Sequence, residues 1–129
     1  MKRYTMMHDV GPESIDHNGH VNNLEYLRWG HRLSGLHWAR VVPDALRAAY
    51  RWVVARNEMD YFREVFEGDR LRLETWIEKA EKATTVRVVE IYNETRGELA
   101  ARGRIFWFAL DAASGKPRRI GADVLAYFM

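Results

Sequence analysis

The sequence has 129 residues, which suits one domain and lets folding remove roughly 68% of the unfolded chain's surface from water. With 20 basic and 18 acidic residues, its formal charge of +2 is too small to indicate a nucleic-acid partner. The absence of cysteine excludes a disulfide framework, a thiol nucleophile and a cysteine-based zinc site. No secretory signal or membrane-spanning run is found, so we expect a cytoplasmic protein without a membrane partner.

The first predicted elements are a short strand and a long helix. A strand is expected at about Arg3–Val10, and Gly11 with Pro12 ends it. From Asn23 onward, apolar residues recur at spacings of three and four, which predicts an amphipathic helix. Its expected buried stripe is Tyr26, Gly30, Leu33 and His37, with Leu27, Ser34 and Trp38 alongside.

The start of this helix and its glycines carry two further expectations. Asn22 fits the N-cap position, and Glu25 could complete a variant of the capping box. Gly30 and Gly35 each weaken a helix by about 1 kcal/mol relative to alanine. We expect a close approach of the helix to a neighbouring sheet to compensate at both glycines.

After a short helix or turn at Pro43–Tyr50, the apolar period changes from three or four to two. This change predicts four strands in antiparallel succession, followed by a short terminal helix in "ADVLAYFM". In the first of these strands, the apolar set is expected to be Val53, Ala55, Met59 and Tyr61. The whole chain, residues 1–129, is therefore predicted to be one α+β domain in which an antiparallel sheet wraps around one long central helix.

A polar cluster directly before the long helix is the strongest functional signal in the sequence. Asp16, Asn18 and His20 alternate there, and Asn22 and Asn23 open the helix. A helix N-terminus presents unpaired N–H groups and a partial positive charge, which can polarise a carbonyl oxygen. A nearby carboxylate could attack the carbonyl carbon or take a proton from water. These groups suit acyl transfer.

The segment "DHNGHVNNLEYLRW" resembles the acyl-ACP thioesterase motif D-x-N-x-H-V-N-N-x-x-Y-x-x-W, and the order of elements resembles the hot-dog fold. Asp16, Gly19 and Val21 also match the D-x-x-G-x-V opening of the 4-hydroxybenzoyl-CoA thioesterase family. "MDYFREV" is similar to a plant acyl-ACP thioesterase segment, which aligns Glu64 with that family's catalytic glutamate. Val65 stands where those enzymes carry cysteine. The fixed positions of the first motif are matched by Asp16, Asn18, His20, Val21, Asn22, Asn23, Tyr26 and Trp29.

The resemblance implies hydrolysis of an acyl thioester carried on coenzyme A or acyl carrier protein, without a cofactor. It also implies a homodimer or homotetramer with each site at a subunit boundary. Asp16 is then the expected nucleophile or general base, and the backbone N–H near Asn23 holds the thioester oxygen. Asn18 and His20 orient Asp16 or a water molecule, and Glu64 is a helper base.

Other residues have less specific expected roles. Tyr26 is a packing residue that could line the acyl pocket. Arg118 and Arg119 could bind the phosphates of coenzyme A or an acidic carrier protein, although exposed arginines are common on surfaces. No histidine spacing matches a metal signature, so no metal is expected. Two other functions stay open, a non-catalytic acyl-CoA-binding dimer and a hot-dog hydratase or dehydratase.

Overall fold

The computed structural model describes all residues, Met1–Met129, as one five-stranded antiparallel sheet with a long helix packed against it. The strands are β1 (Tyr4–Asp9), β2 (Tyr50–Tyr61), β3 (Arg70–Glu81), β4 (Thr84–Asn93) and β5 (Glu98–Asp111). The helices are α1 (Asn23–Val41), α2 (Asp44–Arg47) and α3 (Ala122–Leu125), and a 3₁₀ turn spans Pro12–Ser14. The spatial order is β1-β3-β4-β5-β2, so β1 and β2 are the edge strands. The predicted α+β order of elements is confirmed.

The apolar face of α1 lies against the sheet as the spacing predicts. The four stripe residues Tyr26, Gly30, Leu33 and His37 are all buried. One core cluster, around Leu33, lies between the first half of α1 and the sheet. A second cluster, around Phe128, joins the C-terminal segment to the far half of the sheet. No helix of this chain combines the length and the apolar character that a membrane crossing requires.

The edge strand β2 contains a bulge that changes part of its predicted apolar set. Met59 packs against the core as predicted, whereas Val53, Ala55 and Tyr61 are exposed. The pairing with β5 shifts register between Val54 and Arg56, so Ala55 has no partner. Before the bulge, Trp52 and Val54 pack inward, whereas Val53 is exposed. Because the extra residue reverses the alternation of side chains, the strict period of two holds only on either side of it.

The start of α1 confirms the predicted cap but not the capping box. Asn22 Oδ1 accepts a hydrogen bond from the backbone N–H of Leu24 at 2.9 Å. The backbone N–H of Asn22 donates to Ser14 O at 3.0 Å, which takes the role expected of Glu25. Glu25 instead lies 3.1 Å from Arg28 Nη1, one turn along the helix. The capping-box prediction is therefore wrong, because the Ser14 carbonyl accepts the hydrogen bond from Asn22 N in place of Glu25.

The two glycines of α1 differ in their surroundings, so the expectation of a close approach holds for only one. A Cβ at Gly30 would lie 3.1 Å from Ile105 Cδ1 and 3.5 Å from Val89 Cγ2. A Cβ at Gly35 would have nothing within 4 Å, and this glycine is exposed.

Gly35→Ala is expected to raise the free energy of unfolding by about 1 kcal/mol, because alanine is the better helix former and no clash opposes it. Gly30→Ala is expected to gain less than that or to lose stability, because Ile105 must move. Urea unfolding of both variants beside the wild type measures the difference. An equal gain at the two positions would contradict the close packing at Gly30.

Candidate active site

The polar cluster forms a tight turn that fixes Asp16 next to the start of α1. Ile15 and Val21 pair as an isolated antiparallel bridge, and between them Asp16 N donates to His20 O at 3.0 Å. The Asp16 carboxylate closes the turn from inside, because its Oδ1 accepts from the backbone N–H of Asn18 at 2.8 Å. Oδ2 accepts no hydrogen bond from the protein, and the side chain is half-buried. The turn therefore holds one carboxylate oxygen and leaves the other free.

The first turn of α1 leaves the backbone N–H of Asn23 without an acceptor. Asn22 N donates to Ser14 O, Leu24 N donates to the cap Asn22 Oδ1, and Glu25 N donates to Asn22 O. No protein atom accepts from the N–H of Asn23. This donor lies at the positive end of a 19-residue helix, where a developing negative charge is stabilised.

A cavity of about 160 Å³ opens at this helix end. It brings together four of the residues predicted for the site, and Asp16 and Asn18 lie outside its lining on the turn just before it. The remaining lining comes from the end of β2 and the segment after it. The cavity is lined by His20, Asn23, Tyr26, Tyr61, Phe62, Arg63 and Glu64.

Two tyrosines, Tyr26 and Tyr61, line this cavity. Burial raises the pKa of Tyr26 to about 12, and the neighbouring Tyr61, Glu64 and Asp69 add to the shift. Tyr26 therefore stays protonated near neutral pH and can donate a hydrogen bond, but it cannot serve as a base. The Tyr61 hydroxyl donates to Asn23 O at 3.2 Å, which ties the end of β2 to the start of α1.

Glu64 lies in the segment that follows β2. Backbone hydrogen bonds connect this segment to β5 and to the turn before α1. Arg63 N and Phe62 N donate to Ala100 O at 3.2 and 2.8 Å, and Val65 O accepts from Val21 N at 2.8 Å. Val65 is fully buried, and the Glu64 side chain is exposed toward the cavity.

Asp69 anchors the far end of the same segment. It is 3% exposed, and its Oδ2 accepts from Phe66 N at 3.0 Å, Asn93 Nδ2 at 2.9 Å and Arg96 Nε at 2.9 Å. Burial opposes the charge of Asp69, but the hydrogen bonds from Arg96, Phe66 and Asn93 outweigh it and lower the pKa of the carboxyl.

We expect Asp69→Asn to lower the free energy of unfolding by about 1–3 kcal/mol at pH 7, since buried donors lose a charged acceptor. Because the pKa of Asp69 is lower in the folded state, its stabilisation is complete above the unfolded pKa of about 3.9 and disappears as the pH falls through the folded pKa. The difference in the free energy of unfolding between wild type and variant should therefore decrease below about pH 4. Urea unfolding at pH 7 and at low pH measures it, with the exposed Asp60→Asn as control. An equal difference in the free energy of unfolding at low pH would contradict the stabilising role of the charged Asp69 carboxylate.

Arg118 and Arg119 lie at the opposite end of the molecule from the cavity within one chain. Arg118 Nη1 donates to Asp111 Oδ1 at 2.8 Å, and its guanidinium lies over the Tyr50 ring at the beginning of β2. The cavity lies at the other end of this strand, and 12 residues of extended chain span about 36 Å. Arg119 is exposed and forms no ion pair in this chain.

Sequence reasoning missed three lining residues, Tyr61, Phe62 and Arg63. They directly precede Glu64 in "MDYFREV", and the signal that marks them is a pair of aromatic residues at the end of an edge strand. Tyr61 is 41% and Phe62 is 47% exposed, and Leu24 at the helix start is 66% exposed. Large exposed apolar side chains around one cavity indicate a surface that a partner or ligand covers.

The histidines are spread over the molecule. His17 is exposed on the turn, His31 Nε2 lies 2.8 Å from Asn57 Oδ1, and His37 is buried beneath the sheet. No group of three or more histidine, aspartate or glutamate side chains is placed to hold a metal ion.

Comparison with known proteins identifies the fold. A family model described as thioesterase-like superfamily matches residues 10–128. A predicted thioesterase from Bacillus stearothermophilus is 23% identical with a TM-score of 0.86, over 98% of this chain and 94% of that one. A 1,4-dihydroxy-2-naphthoyl-CoA thioesterase from Synechocystis is 16% identical with a TM-score of 0.84, over 98% of this chain and 95% of that one.

A hypothetical protein from Staphylococcus aureus, solved in complex with CoA, is 16% identical with a TM-score of 0.85, over 98% of this chain and 81% of that one. No curated protein matches the chain in sequence. At these identities the solved structures establish a shared fold, and the predicted hot-dog fold is confirmed.

Proposed function

The chain belongs to the thioesterase-like superfamily, and from that premise we propose that it hydrolyses an acyl thioester to a free carboxylic acid and a thiol. The observation that carries the proposal is the unpaired N–H of Asn23 in the first turn of α1, at a residue that lines a cavity together with Glu64. A carbonyl oxygen that accepts from this N–H would place its carbon between the helix end and the carboxylates. The helix charge would stabilise the oxyanion that forms on it.

In the proposed reaction, Asp16 acts as general base or as nucleophile. As a base, it takes a proton from water while the water oxygen bonds to the carbonyl carbon, and the C–S bond then breaks as the sulfur takes that proton from Asp16 and leaves as the thiol. As a nucleophile, its oxygen bonds to the carbonyl carbon and the C–S bond breaks, so that a thiolate leaves and takes a proton from solvent; water then hydrolyses the mixed anhydride to the acid and the free carboxylate of Asp16. Both routes need a carboxylate held in place with one free oxygen, as the turn holds Asp16.

The neighbouring polar groups have supporting roles in this proposal. Asn18 positions Asp16 through its backbone N–H. His20 Nδ1 lies 3.2 Å from Val21 O, and because a carbonyl only accepts, Nδ1 carries the proton. In the neutral ring, Nε2 is then an acceptor that can orient a water molecule. Glu64 lines the cavity and is the proposed helper base.

We propose coenzyme A as the thiol carrier, with acyl carrier protein as the alternative. The Synechocystis relative is named as a CoA thioesterase, and the Staphylococcus aureus relative was solved with CoA. A panel of acyl-CoAs with aliphatic and aromatic acyl groups, assayed by release of free thiol, tests the proposal.

Of the three candidate functions, only hydrolysis gives a signal in this assay. Hydrolysis releases thiol and acid together. A hydratase or dehydratase alters an enoyl-CoA or hydroxyacyl-CoA without releasing thiol, and a non-catalytic binder retains acyl-CoA unchanged. We expect saturable thiol release, because a pure binding site has no physical need for a carboxylate beside a free helix N–H. Binding without thiol release would overturn the proposal.

We further propose that two copies of the chain pair along β2. This edge strand has 12 residues and an unpaired outer edge, and an edge this long is normally covered. Val53 on this strand is 40% exposed, and Tyr61 and Phe62 at its end border the cavity. Antiparallel pairing would set the beginning of β2 in one copy beside the end of β2 in the other. Arg118 and Arg119 of the second copy would then approach the cavity, where phosphates could bind.

Light scattering is expected to give a mass of about twice the chain's 15.2 kDa, or a multiple of that dimer. Val53→Asp should shift the mass toward the monomer, because it puts a charge on the surface that pairing buries. Met7→Asp is the matched control, since Met7 is similarly exposed on the other edge strand. If Met7→Asp gives a monomer and Val53→Asp does not, the two copies pair along β1 and not along β2.

A further inference from the structure

A second cavity lies beside the far half of α1, bounded by the sheet and by the C-terminal segment and open on one side. Its volume is about 70 Å³, and eight of its twelve lining residues are hydrophobic. Gly35 of α1 lies about 18 Å along the helix from Asn23, so this cavity is separate from the one at the helix start. The lining includes Trp38, Trp52, Ile77, Arg87, Trp107 and Phe128.

The unusual member of this lining is Arg87, which is only 4% exposed. Its Nη1 donates to His37 Nδ1 at 2.8 Å and to Thr75 Oγ1 at 3.3 Å. Its Nε and Nη2 donate to no protein atom, and no carboxylate of the chain lies within ion-pair distance. The guanidinium also sits 5.7 Å from the centre of the Phe128 ring.

The charge of Arg87 is not neutralised by its neighbours. Burial, followed by the charge of Arg87, lowers the pKa of His37 to about 4, so His37 is neutral near pH 7 and its Nδ1 is an acceptor. Burial lowers the pKa of Arg87 to about 10, which still leaves the guanidinium charged at neutral pH. A buried cation without a counter-ion is strongly unfavourable, and buried charges in proteins are normally paired.

Two further donors around the same cavity lack acceptors. Trp52 Nε1 and Trp107 Nε1 are both buried and form no hydrogen bond within the protein. Both indoles line the cavity beside Arg87. Buried charges are normally paired, so a guanidinium that lines this cavity without a carboxylate partner indicates that a ligand supplies the negative charge.

We propose that this cavity binds the carboxylate of a small organic acid, with Arg87 as its counter-ion and the aromatic side chains around its alkyl part. A carboxylate matches the planar fork of a guanidinium and brings the missing negative charge. The cavity has about half the volume of an engineered cavity of 150 Å³ that binds benzene, so it holds a carboxylate and its first carbons, and the rest of a chain extends through its open side. The carboxylate could belong to a free acid or to the distal end of a longer acyl chain.

Sodium butanoate is the probe for the free acid, and butanol is the neutral molecule of the same length. Binding is followed by the emission of the cavity tryptophans and by the thermal unfolding midpoint, with sodium chloride holding the ionic strength constant. We expect butanoate to bind the wild type at least tenfold more tightly than butanol. Arg87→Met should abolish this preference and still bind butanol, Arg87→Lys should keep part of it, and the exposed Arg104→Met should keep all of it.

Equal binding of butanoate and butanol by the wild type would overturn the proposal, and so would an undiminished preference in Arg87→Met. A second assay identifies the source of the carboxylate. If it is the end of an acyl chain, Arg87→Met lowers kcat/KM for tetradecanedioyl-CoA but not for tetradecanoyl-CoA. If it is a free acid, both values are unchanged while butanoate binding is lost. Because the binding experiment needs no turnover, its outcome is independent of whether the chain hydrolyses thioesters.

Discussion

Replacing Asp16 with asparagine is expected to lower kcat for acyl-CoA hydrolysis by about 10²–10⁴-fold, the usual contribution of a positioned base. Asparagine keeps an Oδ1 that can accept from Asn18 N, so the turn between Ile15 and Val21 should persist. The unfolding midpoint should therefore stay close to that of the wild type. Thiol-release kinetics together with thermal unfolding measure the two effects separately.

Two other carboxylates serve as controls for Asp16. Asp60→Asn changes an exposed carboxylate on β2 and should leave kcat unchanged, since Asp60 does not line the cavity. Glu64→Gln should lower kcat, but less than Asp16→Asn, if Glu64 is only a helper base. Full activity in Asp16→Asn with a severe loss in Glu64→Gln would transfer the role of base to Glu64.

Replacing Asn23 with proline is expected to lower kcat by about 10²–10³-fold, the loss that follows removal of one oxyanion donor. Proline deletes the backbone N–H at the first helical position, where that N–H is unpaired in this fold. Proline is also well tolerated there, and it requires an extended residue before it. Asn22 already has φ −64° and ψ 133°, so the helix should form normally.

Asn23→Ala is the matched control for this substitution. It removes the same side chain but keeps the backbone N–H, so kcat should stay near the wild-type value. Circular dichroism of both variants checks that α1 is intact. If the alanine variant loses as much activity as the proline variant, the side-chain amide and not the backbone donor binds the substrate.

Features that depend on local sequence were predictable. The spacing of Tyr26, Gly30, Leu33 and His37 sets the buried face of α1, and the Asn22 cap needs only a neighbouring N–H. The fold followed from the order of elements together with the motif at the helix start. For the buried face and the cap, residues within one or two turns of each other determine the outcome.

Features that depend on distant segments were not predictable in the same way. The bulge at Ala55 arises from pairing with β5, and the period of two alone cannot locate it. The Ser14 carbonyl displaces Glu25 from its expected role because the preceding loop folds back on the helix. Arg118 and Arg119 lie far from the cavity in one chain because β2 separates them from it.

The second cavity had a weak signal in the sequence. Within "TTVRVVEIYN", Arg87 has the same parity as Val89 and Ile91, so alternation places it on the buried face. An arginine at such a position is a reason to look for its counter-ion. Only the assembled strands and α1 show that no carboxylate pairs with Arg87.

The most direct test of the proposed site is a crystal structure with a CoA analogue whose acyl group is joined through an amide in place of the thioester. We predict that the amide carbonyl oxygen accepts from Asn23 N at about 2.9 Å, a normal N–H···O distance, with the carboxylate of Asp16 or Glu64 beside the carbonyl carbon. A carbonyl bound away from the start of α1, with the Asn23 N–H facing solvent, would contradict the account.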